Sequence, residues 1–248
     1  MAFPVLGRRP DSKLRLILAA ALVLIAAVLA MIPSRASAGD LAAWQVVGYS
    51  QDGSHFAFAE YGRQDGSGFP YAALYVVDLD QDRYVGGAPF RVLPEDDQMS
   101  IGEALAQVHA QAEGTLADYG ISQPARLVAA DPPTEHDANP RQIAFNPIPG
   151  LTSNVAPRRL TLTTVNLPDK PICQQMGDTY GFALALDGVE VYRDTSIPKS
   201  RNCPLDYQVA AIVMPMEAPF DRAVAIISVI QVGFEGPRRR VIAVPISF

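Results

Sequence analysis

The region after residue 38 predicts a mainly β fold: antiparallel, sandwich-like sheets with one amphipathic helix packed on them. Three observations carry that reading. Short apolar runs of strand length, several alternating in period two, recur from Trp44 to the end of the chain. The chain's 21 prolines fall mainly between those runs, where they punctuate a β protein and would break a helical bundle. After the N-terminal leader, one stretch only, 101–118, combines helical spacing with a start signal.

Taken in order, 44–50 (WQVVGYS) reads as a strand, and Gln51-Asp52-Gly53-Ser54 as a tight turn. In 55–61, Phe56, Phe58 and Glu60 fall on one face, while His55, Ala57, Ala59 and Tyr61 fall on the other. A Gly-rich loop spans 63–71, a third strand covers 73–79, and Asp80-Gln81-Asp82 turns the chain again. The three strands form an antiparallel meander that resembles one propeller blade. Its S-x-D-G turn followed by alternation does not recur, and a single blade cannot close a ring.

Ser100-Ile101-Gly102-Glu103 is a capping box, with Glu95, Asp96 and Asp97 ahead of it to suit the positive end of a helix dipole. Ile101, Leu105, Val108, Ala112 and Leu116 form one apolar stripe, and Gly120 supplies a stop. Strands follow at 125–130, 142–146, 159–166, 180–187, 189–194, 207–215, 222–234 and 239–247. Leu186-Asp187-Gly188-Val189 and Phe234-Glu235-Gly236-Pro237 read as hairpin turns. Ala223–Val232 is almost unbroken Val, Ile and Ala, the pattern of a strand covered on both faces.

Ahead of this region, Arg8, Arg9, Lys13 and Arg15 precede 17 apolar residues, Leu16 to Ile32, then Pro33 and the small-residue box Ala36-Ser37-Ala38. That order predicts a secretory signal peptide over 1–38, with an uncleaved anchor as the alternative. The remaining region, 39–248, is read as a single periplasmic or secreted domain that meets a membrane only in transit, through the leader. It holds 15 basic and 25 acidic residues, a net charge of −10, which argues against a nucleic-acid partner. Cys173 and Cys203 are the only cysteines, and an oxidising compartment predicts a disulfide between them. Closing that loop contributes about 3–4 kcal/mol in the chain-entropy picture.

No catalytic constellation is complete. Gly48-Tyr49-Ser50-Gln51-Asp52 lacks the final glycine of a nucleophile elbow and leads into a strand. Asp78, Asp80 and Asp82 have calcium-loop spacing, but Arg83 and Pro89 stand where glycine and glutamate are required. Three histidines, His55, His109 and His136, offer no metal pattern. The sequence therefore predicts no catalytic residue, no metal and no cofactor. The candidate binding residues are Arg63, Asp65, Phe69 and Tyr71, an arginine, an acid and two aromatics on the Gly-rich loop. The same residues allow a second reading, in which Phe69 and Tyr71 fold back onto the core.

The stretch GYSQDGSHFAFAEYGRQDGSGFPYA (48–72) and the later GFEGPRRRVIAV (233–244) resemble a bacterial family of predicted secreted proteins defined by a domain of unknown function. The resemblance implies a signal peptide and a secreted or periplasmic domain, and it brings no catalytic residues. The functional expectation is a non-enzymatic protein binding a small ligand or an envelope protein. An envelope hydrolase using Asp and Glu, or a module docking by strand addition at a sheet edge, are the alternatives.

Overall fold

The computed structural model describes residues 39–248 except 97, 133–134, 136, 149–155, 169–170, 174, 218–220 and 248, together with 18, 21 and 22. Contacts divide the chain into Met1–Ser37 and Ala38–Phe248. In the first unit Leu18, Ala21 and Leu22 are helical and the two leucines are exposed. The rest of the leader reading lies outside the described residues. No helix among the described residues is long and apolar enough to cross a membrane.

The second unit is built from three antiparallel sheets and one helix, which makes the protein mainly β. Sheet 1 holds β1 (Ala43–Ser50), β2 (His55–Arg63), β3 (Pro70–Asp78), β4 (Arg83–Tyr84), β5 (Phe90–Val92) and β6 (Ile121–Gln123). Helix α1 (Ile101–Asp118) precedes β6. Sheet 2 runs β14 (Arg238–Ser247), β13 (Arg222–Gln231), β12 (Pro204–Pro215), β7 (Ala125–Ala130). Sheet 3 runs β11 (Val189–Arg193), β10 (Tyr180–Leu186), β9 (Arg158–Asn166), β8 (Gln142–Phe145).

Three apolar clusters stack these elements in layers. Ala104, Val108 and Ala112 of α1 pack on Ala57, Leu74 and Val76 of sheet 1. The opposite face of sheet 1, with Phe56, Phe58 and Val77, meets Val224, Ile226 and Val241 of sheet 2. The far face of sheet 2, with Ala225, Ile227 and Val244, meets Leu160, Leu162 and Phe182 of sheet 3. The helix begins as its capping box requires: Ser100 Oγ accepts from the Glu103 N–H, and the Glu103 carboxylate accepts from the Ser100 N–H.

Sheet 2 has an apolar layer on each side, so β13 needs apolar residues at both parities, which is why its sequence does not alternate. On β12 a bulge at Ala210 resets the parity. Val209 pairs with Ile227 and Ala211 with Ile226, leaving Ala210 as the extra residue. Tyr207 and Val209 therefore share a face with Ile212 and Met214, while Ala211 and Val213 point the other way.

Three short strands, β4, β5 and β6, carry no pattern long enough to read. Pro124 separates β6 from β7 and marks where the chain leaves sheet 1 for sheet 2, since proline cannot donate to either ladder. Strand β12 begins earlier than its apolar run suggests, at Pro204, because its first residues pair with the end of β13. The β10–β11 hairpin turns at Asp187 and Gly188, both with positive φ (49° and 86°), the geometry of a two-residue primed turn.

The Cys173–Cys203 disulfide is present, with Cα atoms 5.5 Å apart. It fixes the segment before β10 to the turn at Lys199–Arg201. Beside it lies a buried ion pair. Asp194 Oδ2 accepts from Arg201 Nη1 at 2.5 Å and from the Phe182 N–H at 2.9 Å. Tyr192 donates to Asp194 Oδ1, and the Arg201 guanidinium stands over the Phe182 ring at 4.8 Å. Removing the acid would strand a buried guanidinium.

Two stability measurements follow. Replacing both cysteines by alanine should lower unfolding free energy by about 3 kcal/mol in urea titrations, with the fold intact by circular dichroism. Asp194→Ala should cost about 3–5 kcal/mol. An unchanged midpoint in either variant would contradict the corresponding role.

Candidate functional site

The apolar layer between sheets 1 and 2 ends in charge. Glu60 lies on β2 two and four positions beyond Phe58 and Phe56, so the period of the strand delivers it to the same interior face, and it is 3% exposed. There its Oε2 accepts from the Val241 N–H at 2.7 Å. Arg240, one residue earlier on β14, sends Nε to within 3.5 Å of Glu60 Oε1, Nη2 to Asp40 Oδ2 at 2.6 Å and Nη1 to the Tyr71 hydroxyl at 2.6 Å. Tyr71 donates to Asp40 Oδ1 at 3.0 Å, and the guanidinium also lies 4.5 Å from its ring centre. Four side chains from three separate stretches thus lock the two sheets together.

Burial pushes the Glu60 carboxyl up to about 7; Arg240 and the Val241 amide pull it back only in part. Burial also raises the Tyr71 phenol, so that hydroxyl stays protonated as a donor. The Arg238 guanidinium is pushed below its usual value, first by burial and then by Arg240 beside it.

These residues form one wall of a cleft of about 470 Å³ bounded by β2, β3, β5, the start of β14 and the Lys199–Arg201 turn. Arg91 on β5 and Arg238 on β14 also line it, and neither has a carboxylate within 4.0 Å among the described residues. Arg238 Nε donates to Gln231 Oε1 at 3.1 Å, and Gln231 Nε2 donates to the Arg201 carbonyl at 3.0 Å. The alternation of β14 puts Arg238 and Arg240 in the cleft. Arg239 is turned away, donating to the Ala42 carbonyl and lining a second cavity.

The four sequence-derived candidates part company here. Arg63 donates to the Gly68 carbonyl at 2.8 Å and closes its own loop. Asp65 reaches across to the β13–β14 hairpin, where Oδ2 accepts from the Glu235 N–H at 2.7 Å. Its Oδ1 is buried in the cleft wall without a hydrogen-bond partner among the described residues. Phe69 is half-buried and lies outside the cleft lining, whereas Tyr71 is 4% exposed and belongs to the interlock. Asp65 and Tyr71 thus line the cleft, and Arg63 and Phe69 shape the loop beside it. Gly66 lets the loop approach: at φ +84° it lies under the Phe234 ring, where a Cβ would stand 3.2 Å from Cδ1.

Asp40, Glu60 and Arg91 were not singled out from sequence, and the run Arg238-Arg239-Arg240 reads there as a strand flank or solvated face rather than an anion site. Glu60 carried a signal, an acid closing the apolar face of an alternating strand. The run Arg238-Arg239-Arg240 carried another, since alternation sends two of three charges to one side.

The motifs set aside from sequence are accounted for locally. Ser50 Oγ donates to Asp52 Oδ1 at 2.6 Å, and with Ser54 it holds that carboxyl down at about 2. Asp78 Oδ1 accepts from the amides of Asp80 and Gln81, and Asp80 pairs with Arg222. His109 meets Gln45 at 3.1 Å. His136 lies outside the described residues, and no group of metal ligands occurs among the described ones.

Compared with known proteins, the chain matches the family described as Predicted secreted protein (DUF2259) over residues 57–247. It belongs to that family. The matched span of this secreted-protein family includes Glu60, Asp65, Tyr71 and the four arginines of the cleft, Arg91, Arg201, Arg238 and Arg240. It also includes both cysteines, whose disulfide fits an extracellular location. No curated protein and no solved structure matches the chain.

Glu60 gives a pH test. Folded, its carboxyl keeps a proton up to about pH 7; unfolded, it releases the proton near ~4.3. The native state binds more protons in between, so stability from this group falls as pH rises from about 4.5 to about 7 and is level above. Thermal melts between about pH 5 and pH 8 should show a fall in melting temperature worth about 3 kcal/mol that Glu60→Gln removes. Parallel curves for the two proteins would refute it.

Proposed function

We propose that this protein is a non-catalytic binding protein of the periplasm or the external medium, whose cleft takes a small ligand bearing an anionic group. The observation that carries this reading is charge left over in the cleft. Arg240 is matched by Asp40 and Glu60, but Arg91 and Arg238 face the same space with no acidic partner among the described residues. The penalty that burial and Arg240 place on the charged Arg238 is offset when an anion sits against it. A fork of guanidinium donors suits carboxylate, sulfonate or phosphate oxygens. The unpartnered Asp65 Oδ1 offers an acceptor for a donor on the same ligand.

A hydrolase would draw on Asp40 and Glu60. Glu60, poised near neutrality, is the observation that favours it. Against it, both oxygens of Asp40 already accept hydrogen bonds, and both oxygens of Glu60 face main chain or guanidinium. Strand addition has less to work with at the β14 edge. The segment at Leu41 and Ala42 already pairs beside Arg239 there, and Pro245 interrupts the donors further along.

Hexanoate, succinate and inorganic phosphate, titrated into the purified 39–248 region while melting is followed, test the reading. At least one should raise the melting temperature saturably, and Arg238→Gln should weaken that ligand roughly tenfold. No shift with any of the three, or an unchanged shift in Arg238→Gln, would overturn it. Release of product from an added ester, lost in Glu60→Gln, would move the assignment to the hydrolase.

A further inference from the structure

Resting on that reading, we infer that the ligand is an anionic amphiphile, its head in the arginine cleft and its apolar tail along an adjoining groove. The groove, about 500 Å³, shares Asn202, Phe234 and Arg238 with the cleft, so the two form one continuous depression. Its character changes along its length. Beyond Arg238 it is lined by Ile172, Met176, Val232 and Phe234.

Three of these are conspicuously uncovered: Ile172 is 74% exposed, Met176 47% and Phe234 87%. Exposed apolar side chains scattered singly need no explanation, but here they converge on one groove from two distant stretches of chain. Each is braced from beneath. Ile172 sits beside Cys173, which is tied to Cys203. The Met176 N–H donates to the Cys173 carbonyl at 2.8 Å. Phe234 rests on Gly66, and its hairpin is pinned by the Asp65–Glu235 hydrogen bond. A covalent link and two hydrogen bonds therefore hold apolar groups in water, a cost in free energy that a covering apolar chain would recover.

The occupant follows from charge and continuity. Arg238 stands where groove meets cleft, and Lys199 lines the groove. A tail lying between Ile172 and Phe234 carries its head toward Arg238 and Arg91, the two cleft arginines without acidic partners among the described residues. A single-chain fatty acid, sulfonate or monoacyl phosphate meets that arrangement. A cationic surfactant does not, because its head would face the same guanidinium groups.

Isothermal titration of the 39–248 region with dodecanoate below its micelle concentration, hexanoate and dodecyltrimethylammonium decides the matter. Dodecanoate should bind roughly thirtyfold or more tightly than hexanoate, since each covered methylene adds to the affinity. Dodecyltrimethylammonium should bind about tenfold more weakly than dodecanoate. Ile172→Ser and Met176→Gln, both at exposed positions, should each shrink the dodecanoate-over-hexanoate preference while the free protein melts as before. Dodecanoate no tighter than hexanoate would overturn the tail groove and leave the anion cleft standing. Equal binding of the two dodecyl compounds would overturn the head placement. A preference unchanged in both groove variants would overturn the lining assigned here, and binding by neither acid would overturn the amphiphile, leaving the cleft standing only if succinate or phosphate still bound.

Discussion

A sheet covered on both faces sets the terms for everything else in this protein. Sheet 2 has sheet 1 on one side and sheet 3 on the other, so β12 and β13 carry charged side chains only toward their ends. Apolar residues at both parities supply two cores at once, and burial of that kind is the main favourable term in folding. The same arrangement confines polar chemistry to the margin of the layer. Glu60, Gln231, Arg238 and Arg240 all stand where the apolar runs of β2, β13 and β14 end. The cleft lies at that margin.

The margin is held by two charged networks, with one amide tying Arg238, the neighbour of the first, to the second. Asp40, Glu60, Tyr71 and Arg240 lock sheet 1 to sheet 2. Asp194, Tyr192 and Arg201 hold the disulfide-linked turn against sheet 3. Gln231 spans the gap, accepting from Arg238 and donating to the Arg201 carbonyl. Buried ion pairs add little net stability, because desolvation offsets much of their attraction, but they penalise any packing that separates the partners. Here they fix the relative placement of three sheets around the cleft. The stretches 48–72 and 233–244, distant in sequence, meet in this interlock through Glu60 with Val241, Asp65 with Glu235 and Tyr71 with Arg240.

Much of the fold was legible because its signals are local. The Ser100–Glu103 box and its apolar stripe place α1, the Asp187-Gly188 turn places a hairpin, and the unbroken Val and Ile of β13 announce two covered faces. The short strands β4 to β6 were not legible, since two or three residues cannot display a period and their pairing depends on β1 and β3. The cleft was half legible. Asp65 and Tyr71 were reachable through the composition of their loop. Asp40 and Arg240 were not, because nothing in either neighbourhood says that positions 200 residues apart will share a hydrogen bond. The disulfide was readable from compartment and count alone.

The additional residue at position 210 has a consequence for how this chain can vary. Downstream of it, Ile212 and Met214 share the layer of Val209 at odd counts from it, and Ala211 and Val213 take the other layer at even counts. Losing Ala210 itself would leave a plain ladder with every layer unchanged, but one further residue inserted beside it, with no second bulge, would send Ile212 and Met214 toward the helix-bearing sheet, and Ala211 and Val213 toward the third. Large groups would then meet a layer already filled by Phe56 and Phe58, and small ones would leave voids beside Phe182. Point substitution can be absorbed along this strand one side chain at a time, but an added residue cannot, so lineages of this chain should tolerate changes of length in their loops and, within β12, no insertion and no loss beyond that of the bulged residue.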